Sequence, residues 1–159
     1  MTSYLEVISL EQAKNYLRID DGMTADDDFI TSMIKASLQW IEDYTRHILV
    51  ERDFTLYAPA QTNCEGQYIY YVYHYPIVAA LPDADKTTRN LYTKYYTVEE
   101  ELVITAGYDS LDLVPEAIVQ AAYAILQVWY YNSEKTIQSN LVPDSVKFAL
   151  DPYRRFPLF

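Results

Sequence analysis

The order of hydrophobic and polar residues divides the chain into helical segments at both ends and an alternating segment between them. Near the N-terminus, apolar residues recur at helical spacing and predict a first helix over about residues 10–18. Ser9 and Gln12 have the spacing of a capping box, in which each side chain accepts a hydrogen bond from the other residue's backbone N–H. This pair predicts where the first helix begins.

A second, longer helix is predicted over about residues 25–47. Its apolar positions match the period of a helix with one buried face: Phe29, Ile30, Met33, Ile34, Leu38 and Ile41. Thr24 stands where a capping residue is expected, and three aspartates follow in the predicted first turn. This helix therefore has an acidic N-terminal end.

From about residue 50 to residue 106 the hydrophobic period changes to two. Strands are predicted at Arg52–Tyr57 and at Tyr68–Tyr75, where aromatic and β-branched residues are concentrated. Further strands are predicted over residues 90–97 and 101–105, with a turn at Asp83–Asp85. The simplest arrangement of these strands is an antiparallel meander or a pair of hairpins.

Helical spacing returns after Pro115 and predicts a third helix over about residues 115–132 and a short fourth helix over about 143–151. A polar connector over residues 134–140 separates them, and residues 152–159 form a tail. The predicted fold class is α+β and mainly helical, in one domain over the whole chain. It is a bundle of about four helices with an antiparallel β meander or hairpin region inserted between the second and third helices.

The charge balance excludes several classes of partner. Twelve Lys and Arg against 23 Asp and Glu give a net charge of −11, which argues against binding to the DNA backbone or to an anionic membrane. No apolar run approaches the ~20 residues of a membrane span. Cys64 is the only cysteine, so no disulfide framework is expected, and the first residues lack a signal-peptide pattern. We therefore expect a folded protein made in a reducing cytoplasm.

Few residues have the types and spacing that enzyme chemistry needs. The chain has two histidines, His47 and His74, and neither lies in a catalytic-triad or zinc-binding motif. Three glycines are too few for a phosphate-binding loop. His47 lies at the C-terminal end of the predicted second helix, where a cationic imidazole would interact favourably with the helix dipole. We expect no catalytic residues, no cofactor and no enzymatic activity.

The densest group of carboxylates consists of five aspartates: Asp20, Asp21, Asp26, Asp27 and Asp28. Such clusters bind hard cations, but an EF-hand loop beginning at Asp20 would place Thr31 at the position that requires glutamate. The positive N-terminal end of the second helix explains these carboxylates better. No metal site is predicted.

The 17 tyrosines are concentrated in the predicted β region, with five of them within residues 68–75. Tyr71, Tyr73 and Tyr75 share one face of that strand. Three uses remain open for such rings: packing within the sheet, contact with another subunit or partner, and stacking on a ligand. Stacking on single-stranded nucleic acid also needs a basic groove, and the segment between residues 52 and 86 has no Lys or Arg.

The C-terminal tail contains the only adjacent pair of cations in the chain, together with aromatic residues. Arginine and aromatic side chains are enriched at binding hot spots, so the tail is a candidate for docking on a partner. The candidate residues are Tyr153, Arg154, Arg155, Phe156 and Phe159. The alternative is a C-terminus packed loosely on its own domain.

The order of these segments resembles the head-to-tail connector, or head-completion adaptor, proteins of tailed double-stranded DNA bacteriophages. Four stretches look like, in turn, the family's first helix, its long second helix, its strand, turn and third helix, and its closing helix and tail. In the same order, the stretches are residues 9–20, residues 27–45, residues 103–132 and residues 142–154. The first begins with Ser-Leu-Glu-Gln, and the third begins with Val-Ile-Thr-Ala-Gly-Tyr. The tyrosine-rich middle of the chain does not match the family's pattern.

The resemblance implies a structural virion protein at the head-tail junction, made in the host cytoplasm. Members of this family form a ring of about twelve copies under the portal. The ring extends the DNA channel, through which DNA passes without specific binding, and provides a docking platform for the stopper or tail protein below. The expected partners are therefore the portal protein, further copies of the chain and that lower protein, with no membrane.

The resemblance also suggests a role for each candidate group. Part of the aspartate cluster is expected to face the channel, where acidic side chains repel DNA. The tail, Tyr153–Phe159, is expected to contact the portal. The subunit-interface candidates are Tyr71, Tyr73, Tyr75, Tyr130 and Tyr131. Two other functions stay open: another neck or tail-completion protein, and a soluble acidic module that binds a basic protein.

Overall fold

The structure is a computed structural model that describes residues 3–59, 62–82, 84–89, 91–132 and 142–155. Within these residues it has five α-helices, one more than the sequence predicted. The α+β fold class is confirmed. The helices are α1 (Tyr4–Val7), α2 (Leu10–Leu17), α3 (Asp27–Thr45), α4 (Glu116–Tyr131) and α5 (Asp144–Leu150). The predicted connector over residues 134–140 lies outside the described residues.

Serine side chains cap the starts of α1 and α2, whereas the N-cap residue of α3 makes no side-chain capping hydrogen bond. The capping box at α2 is confirmed, since Gln12 N–H donates to Ser9 Oγ over 3.1 Å and Ser9 N–H donates to the Gln12 side chain over 2.9 Å. The prediction that Thr24 caps the next helix is wrong, because Asp26 occupies the N-cap position of α3. Helix α1, a single turn capped by Ser3, was not predicted, because one turn is too short to show a hydrophobic period.

The helices enclose the larger of two hydrophobic cores. Helices α3 and α4 run antiparallel, since Asp26 at the start of α3 accepts a hydrogen bond from Tyr130 near the end of α4. The apolar stripe of α3 is buried against α4, except for Phe29, which was predicted to belong to the stripe but is exposed. Helices α2 and α5 complete the layer. Burial of these stripes drives the helical half of the fold.

The six described strands form two three-stranded antiparallel sheets. In sequence order they are β1 (Arg52–Tyr57), β2 (Tyr68–Val72), β3 (Ile77–Leu81), β4 (Asp85–Arg89), β5 (Tyr92–Thr97) and β6 (Glu101–Ala106). The first sheet has the order β1-β6-β3, and the second has the order β2-β5-β4. Their inner faces share a second hydrophobic core that includes Tyr70, Tyr95 and Ile104.

This topology corrects the predicted meander or pair of hairpins. Among the six described strands, β4 and β5 are the only consecutive pair that forms a hairpin, because β6 pairs with both β1 and β3. The predicted strand at residues 68–75 ends at Val72, and the segment predicted as a turn at Asp83–Asp85 instead leads into β4. Strands β3 and β4 were missed because neither shows a clear alternation of buried and exposed residues.

Glu42 joins the helical half to the sheets. Its carboxylate is buried at the end of α3 and accepts hydrogen bonds from Tyr4 Oη at 2.7 Å and from the backbone N–H of Leu49. Arg52, the first residue of β1, lies 2.8 Å from the same carboxylate. Burial and the hydrogen bond to Glu42 raise the pKa of Tyr4 to about 12. Glu42 therefore fixes the direction in which the chain leaves α3.

Candidate functional site

The acidic loop between α2 and α3 is held by a buried lysine. Lys14 is 4% exposed, and its ammonium donates to the backbone carbonyls of Asp21 and Met23 at 3.1 and 2.8 Å. The third hydrogen bond, 2.9 Å long, goes to the Asp27 carboxylate. All three donors of the ammonium are therefore used. The sequence pattern did not reveal this contact, because a lysine on a helix is usually solvated.

The structure separates the five clustered aspartates into two kinds. Asp26, at the N-cap, and Asp27 and Asp28, in the first turn, lie where the positive end of α3 favours them. Asp20 and Asp21 lie on the loop before the helix, and their side chains are exposed, as is that of Asp28. Among the residues that the structure describes, no group of three or more His, Cys, Asp or Glu side chains is arranged to hold a metal ion.

A groove of about 530 Å³ lies beside this loop, and its lining includes Arg18, Asp20, Met23, Tyr130 and Tyr131. Tyr131 is 63% exposed, although its hydroxyl donates to the Leu17 carbonyl over 3.0 Å. Two of the predicted subunit-interface residues, Tyr130 and Tyr131, are therefore next to the exposed aspartates. We call this surface, formed by Asp20, Asp21, Met23, Tyr130 and Tyr131, the acidic end.

The outer face of the second sheet brings tyrosines and cations together. In the register of that sheet, Lys94 on β5 lies opposite Tyr71 on β2, and Arg89 on β4 lies opposite Tyr92. The Lys94 ammonium is 4.9 Å from the centroid of the Tyr71 ring and 5.9 Å from that of Tyr92. Tyr73 packs edge-on against Tyr92. We call these five residues the tyrosine–lysine face.

The base of the C-terminal tail is fastened to its own subunit by Arg155. This residue is 9% exposed, and its guanidinium lies 4.8 Å from the centroid of the Tyr75 ring. Its Nε–H donates to the Leu91 carbonyl over 3.2 Å, and its backbone N–H donates to the Thr45 carbonyl over 3.1 Å. Arg155 thus connects the tail to the end of α3 and to the start of β5.

The other tail candidates lie close to the same anchor. Arg154 lies with its guanidinium 4.3 Å from the centroid of the Tyr44 ring, while Tyr44 Oη donates to Asp151 over 2.8 Å. Tyr153 packs edge-on against the imidazole of His47. Phe156 and Phe159, the last two candidates, lie outside the described residues.

The two histidines are enclosed among aromatic rings. His47 is 7% exposed, and its Nδ1 lies 2.8 Å from Tyr108 Oη. Burial, together with the positive charge of Arg155, lowers the pKa of His47 to about 4, so the imidazole is neutral at pH 7. The prediction that a cationic His47 interacts with the dipole of the second helix is therefore wrong. His74 stacks on Phe54 with ring centroids 4.1 Å apart, and burial lowers its pKa as well.

Comparison with known proteins agrees with the predicted resemblance. Residues 7–74 match the family described as "Phage gp6-like head-tail connector protein". This match runs through β2, further into the tyrosine-rich middle than the sequence pattern predicted, and it does not include the C-terminal stretches. No curated protein sequence matches the chain. In the described residues, no helix has the length and hydropathy of a membrane span.

Solved structures match along the whole chain. A chain of "Virion of native gene transfer agent (GTA) particle" is similar with a TM-score of 0.72 and 16% identity, covering 100% of this chain and 94% of that chain. A chain of "Neck of empty GTA particle computed with C6 symmetry" gives a TM-score of 0.72 and 17% identity, covering 100% and 95%. A chain of "Neck of native GTA particle computed with C12 symmetry" gives 0.70 and 14%, covering 100% and 94%.

At this level of identity the structural matches establish the fold, while the family match concerns the sequence itself. The family match is to a head-tail connector family, and the solved structures of similar fold include chains of virion neck particles. The resemblance of this chain to the head-to-tail connector family is confirmed, with the family's sequence pattern in residues 7–74 and the fold of a virion neck chain throughout.

Proposed function

We propose that this chain is a structural head-tail connector of a virion neck, which forms a ring of about twelve copies under the portal. The ring extends the DNA channel and provides the platform for the next neck or tail protein. The family match over residues 7–74 carries this proposal. The symmetric neck particles that contain chains of the same fold support the ring.

The tail is proposed to contact the portal, with different roles for its residues. Arg155 is buried against Tyr75 and the backbone of its own subunit, so it acts as a positioning residue that fixes where the tail leaves the domain. Tyr153 and Arg154 lie at that exit and are partly exposed. Phe156 and Phe159 follow the anchor directly and supply apolar area for a contact with the portal.

One of the exposed aspartates, Asp28, is proposed to keep DNA from adhering to the channel. Asp28 is exposed in the first turn of α3, and its carboxylate is one of the groups that give the chain its net charge of −11. A bore lined with such groups repels phosphates and lets DNA slide. The binding of DNA is therefore neither specific nor strong in this proposal.

The proposed role is structural and involves no enzymatic activity. The buried His47 imidazole and the Tyr108 hydroxyl contact each other, and both are enclosed in the domain rather than presented to a substrate. Burial lowers the pKa of His47 and raises the pKa of Tyr108, so both side chains are kept in their neutral forms. This fits a structural role. Their contact stabilises the junction between the end of α3 and the sheets.

Native mass spectrometry of the chain mixed with the portal protein of the same particle tests the function. The expected species is the portal with about twelve added copies of the 18.5 kDa chain. Binding to a tail protein without binding to the portal would favour another neck protein. Binding to neither would favour the acidic module.

A truncation after Arg155 tests the role of the tail, because it removes Phe156–Phe159 and keeps the anchor. We expect the truncated chain to bind the portal at least about tenfold more weakly than the full chain. Urea unfolding of both chains is the control for a change in stability. Unchanged portal binding by the truncated chain would refute the proposed contact.

A further inference from the structure

The tyrosine–lysine face is an open side of a sheet with the composition of a binding surface. Tyr71 is 47% exposed, and all five residues of the neighbouring strand β4 are exposed. The face carries two cations, Lys94 and Arg89, and one acidic residue, Asp85, in a chain with a net charge of −11. Its charge is thus opposite to that of the chain as a whole.

The acidic end lies at the other end of the helical layer. Helix α3 has 19 residues and is therefore about 28 Å long. The acidic end surrounds its first turn, where Asp26 contacts Tyr130. Just beyond the last turn of α3, His47 pairs with Tyr75 in an isolated β-bridge. Tyr75 follows shortly after the end of β2, the strand that carries Tyr71. The two surfaces are therefore separated by the length of the helix.

We propose that the tyrosine–lysine face of one copy binds the acidic end of a second copy, in a head-to-tail contact that repeats around the ring. This inference rests on the proposed function and adds the two surfaces that meet. A ring requires a contact between two different surfaces of the same chain, so that each copy offers one surface to each neighbour. These two surfaces combine opposite charges with exposed aromatic rings.

The geometry of Lys94 favours recognition of a carboxylate. Its ammonium already lies against the Tyr71 and Tyr92 rings, so less side-chain freedom is lost when a carboxylate binds. Asp20 is an exposed carboxylate in the lining of the groove, and the next residue, Asp21, is exposed as well. The two carboxylates outnumber the single cation of that lining, Arg18, and match this requirement. Asp28, on the helix itself, remains available to face the channel.

DNA is a less suitable occupant of this face. Binding to a duplex depends on several cations that neutralise phosphates, and Lys94 and Arg89 share the face with Asp85. The carboxylates of another copy require only one or two cations. The charge of the face therefore favours a second copy of the chain.

The variant Lys94→Glu tests the contact, with Lys86→Glu as its matched control. Lys86 lies on β4 of the same sheet, opposite Tyr95, so its side chain is on the other face. Both variants change the net charge equally. In native mass spectrometry with the portal protein, we expect Lys94→Glu to reduce the fraction of portals with a complete ring at least about tenfold. We expect Lys86→Glu to behave as wild type.

A compensating variant checks the partner surface. Adding Asp20→Lys or Asp21→Lys to Lys94→Glu reverses both sides of the proposed contact, and we expect one of these double variants to restore the ring. In a Cys64→Ser background, Tyr71→Cys with Asp20→Cys should form disulfide-linked oligomers in the assembled ring.

Three results would overturn the inference. They are a complete ring with Lys94→Glu, an equal loss with Lys86→Glu, and a loss that neither Asp20→Lys nor Asp21→Lys restores. If Lys94→Glu instead weakens binding to a labelled DNA duplex while the ring stays intact, DNA is the occupant. If the wild-type chain does not bind the portal, the proposed function itself fails.

Discussion

Replacing Lys14 with methionine should loosen the acidic loop without removing the buried part of the side chain. Methionine retains an apolar stem of similar length, so packing against the helices is largely preserved. The substitution removes three hydrogen bonds, two to the carbonyls of Asp21 and Met23 and one to the Asp27 carboxylate. The effect therefore reports mainly on the ammonium group.

The magnitude follows from the exposure of the groups that lose their partner. Removing one member of a fully buried ion pair costs about 3–5 kcal/mol. The Asp27 side chain is 28% exposed, and the two carbonyls belong to exposed residues, so water can solvate part of what is lost. We therefore expect Lys14→Met to lower the free energy of unfolding by about 2–3 kcal/mol.

Urea unfolding followed by circular dichroism measures this change, and the midpoint should decrease by about 1–2 M. The matched control is Lys35→Met, at an exposed lysine on α3, where we expect a change within about 0.5 kcal/mol. A double-mutant cycle with Asp27→Asn should give a coupling energy of about 1–2 kcal/mol. A Lys14→Met effect no larger than that of Lys35→Met would show that the ammonium does not hold the loop.

Two further predictions concern the junction between the helices and the sheets. Gly107 has a φ of +144°, and a Cβ at this position would clash with the backbone of Glu51. Gly107→Ala should therefore lower the free energy of unfolding, measured in urea, by about 2–4 kcal/mol. An unchanged urea midpoint would contradict this packing. His47 stays neutral in the fold, with a pKa of about 4 against 6.5 in the unfolded chain, so the unfolded state gains a proton first as the pH falls. Stability should therefore decrease between pH 6.5 and 4 by up to about 3 kcal/mol, and His47→Gln should remove that part of the pH dependence; an identical slope in the variant would refute the assignment.

The helices could be predicted from the sequence because each buries a regular stripe. The stripe of α3 gives its extent to within two residues at each end, and the Ser9–Gln12 pair gives the start of α2. Strand β1 was predicted with its observed ends, Arg52 and Tyr57. These elements are determined by local patterns, which tertiary contacts reinforce.

The remaining features depend on contacts between distant parts of the chain. Strand β4 is exposed on both faces, so nothing in its sequence alternates. Tyr71 and Lys94 meet only because β2 pairs with β5, and this pairing supplies the cations that appeared to be missing around the tyrosines. The burial of Arg155 depends likewise on a distant acceptor, the Leu91 carbonyl, which lies 64 positions away in the sequence.

Contacts of two buried cations, Arg155 and Lys14, link the proposed contact surfaces to the rest of the fold. Arg155 fastens the base of the tail to Leu91, the residue before β5, and β5 carries Lys94 of the tyrosine–lysine face. At the other end of α3, Lys14 and Asp27 hold the loop of the acidic end. Substituting both cations should therefore weaken all contacts together, whereas substitutions on one surface should weaken only the contact with its own partner. Comparing the loss of portal binding with the loss of ring formation across such variants separates these two effects.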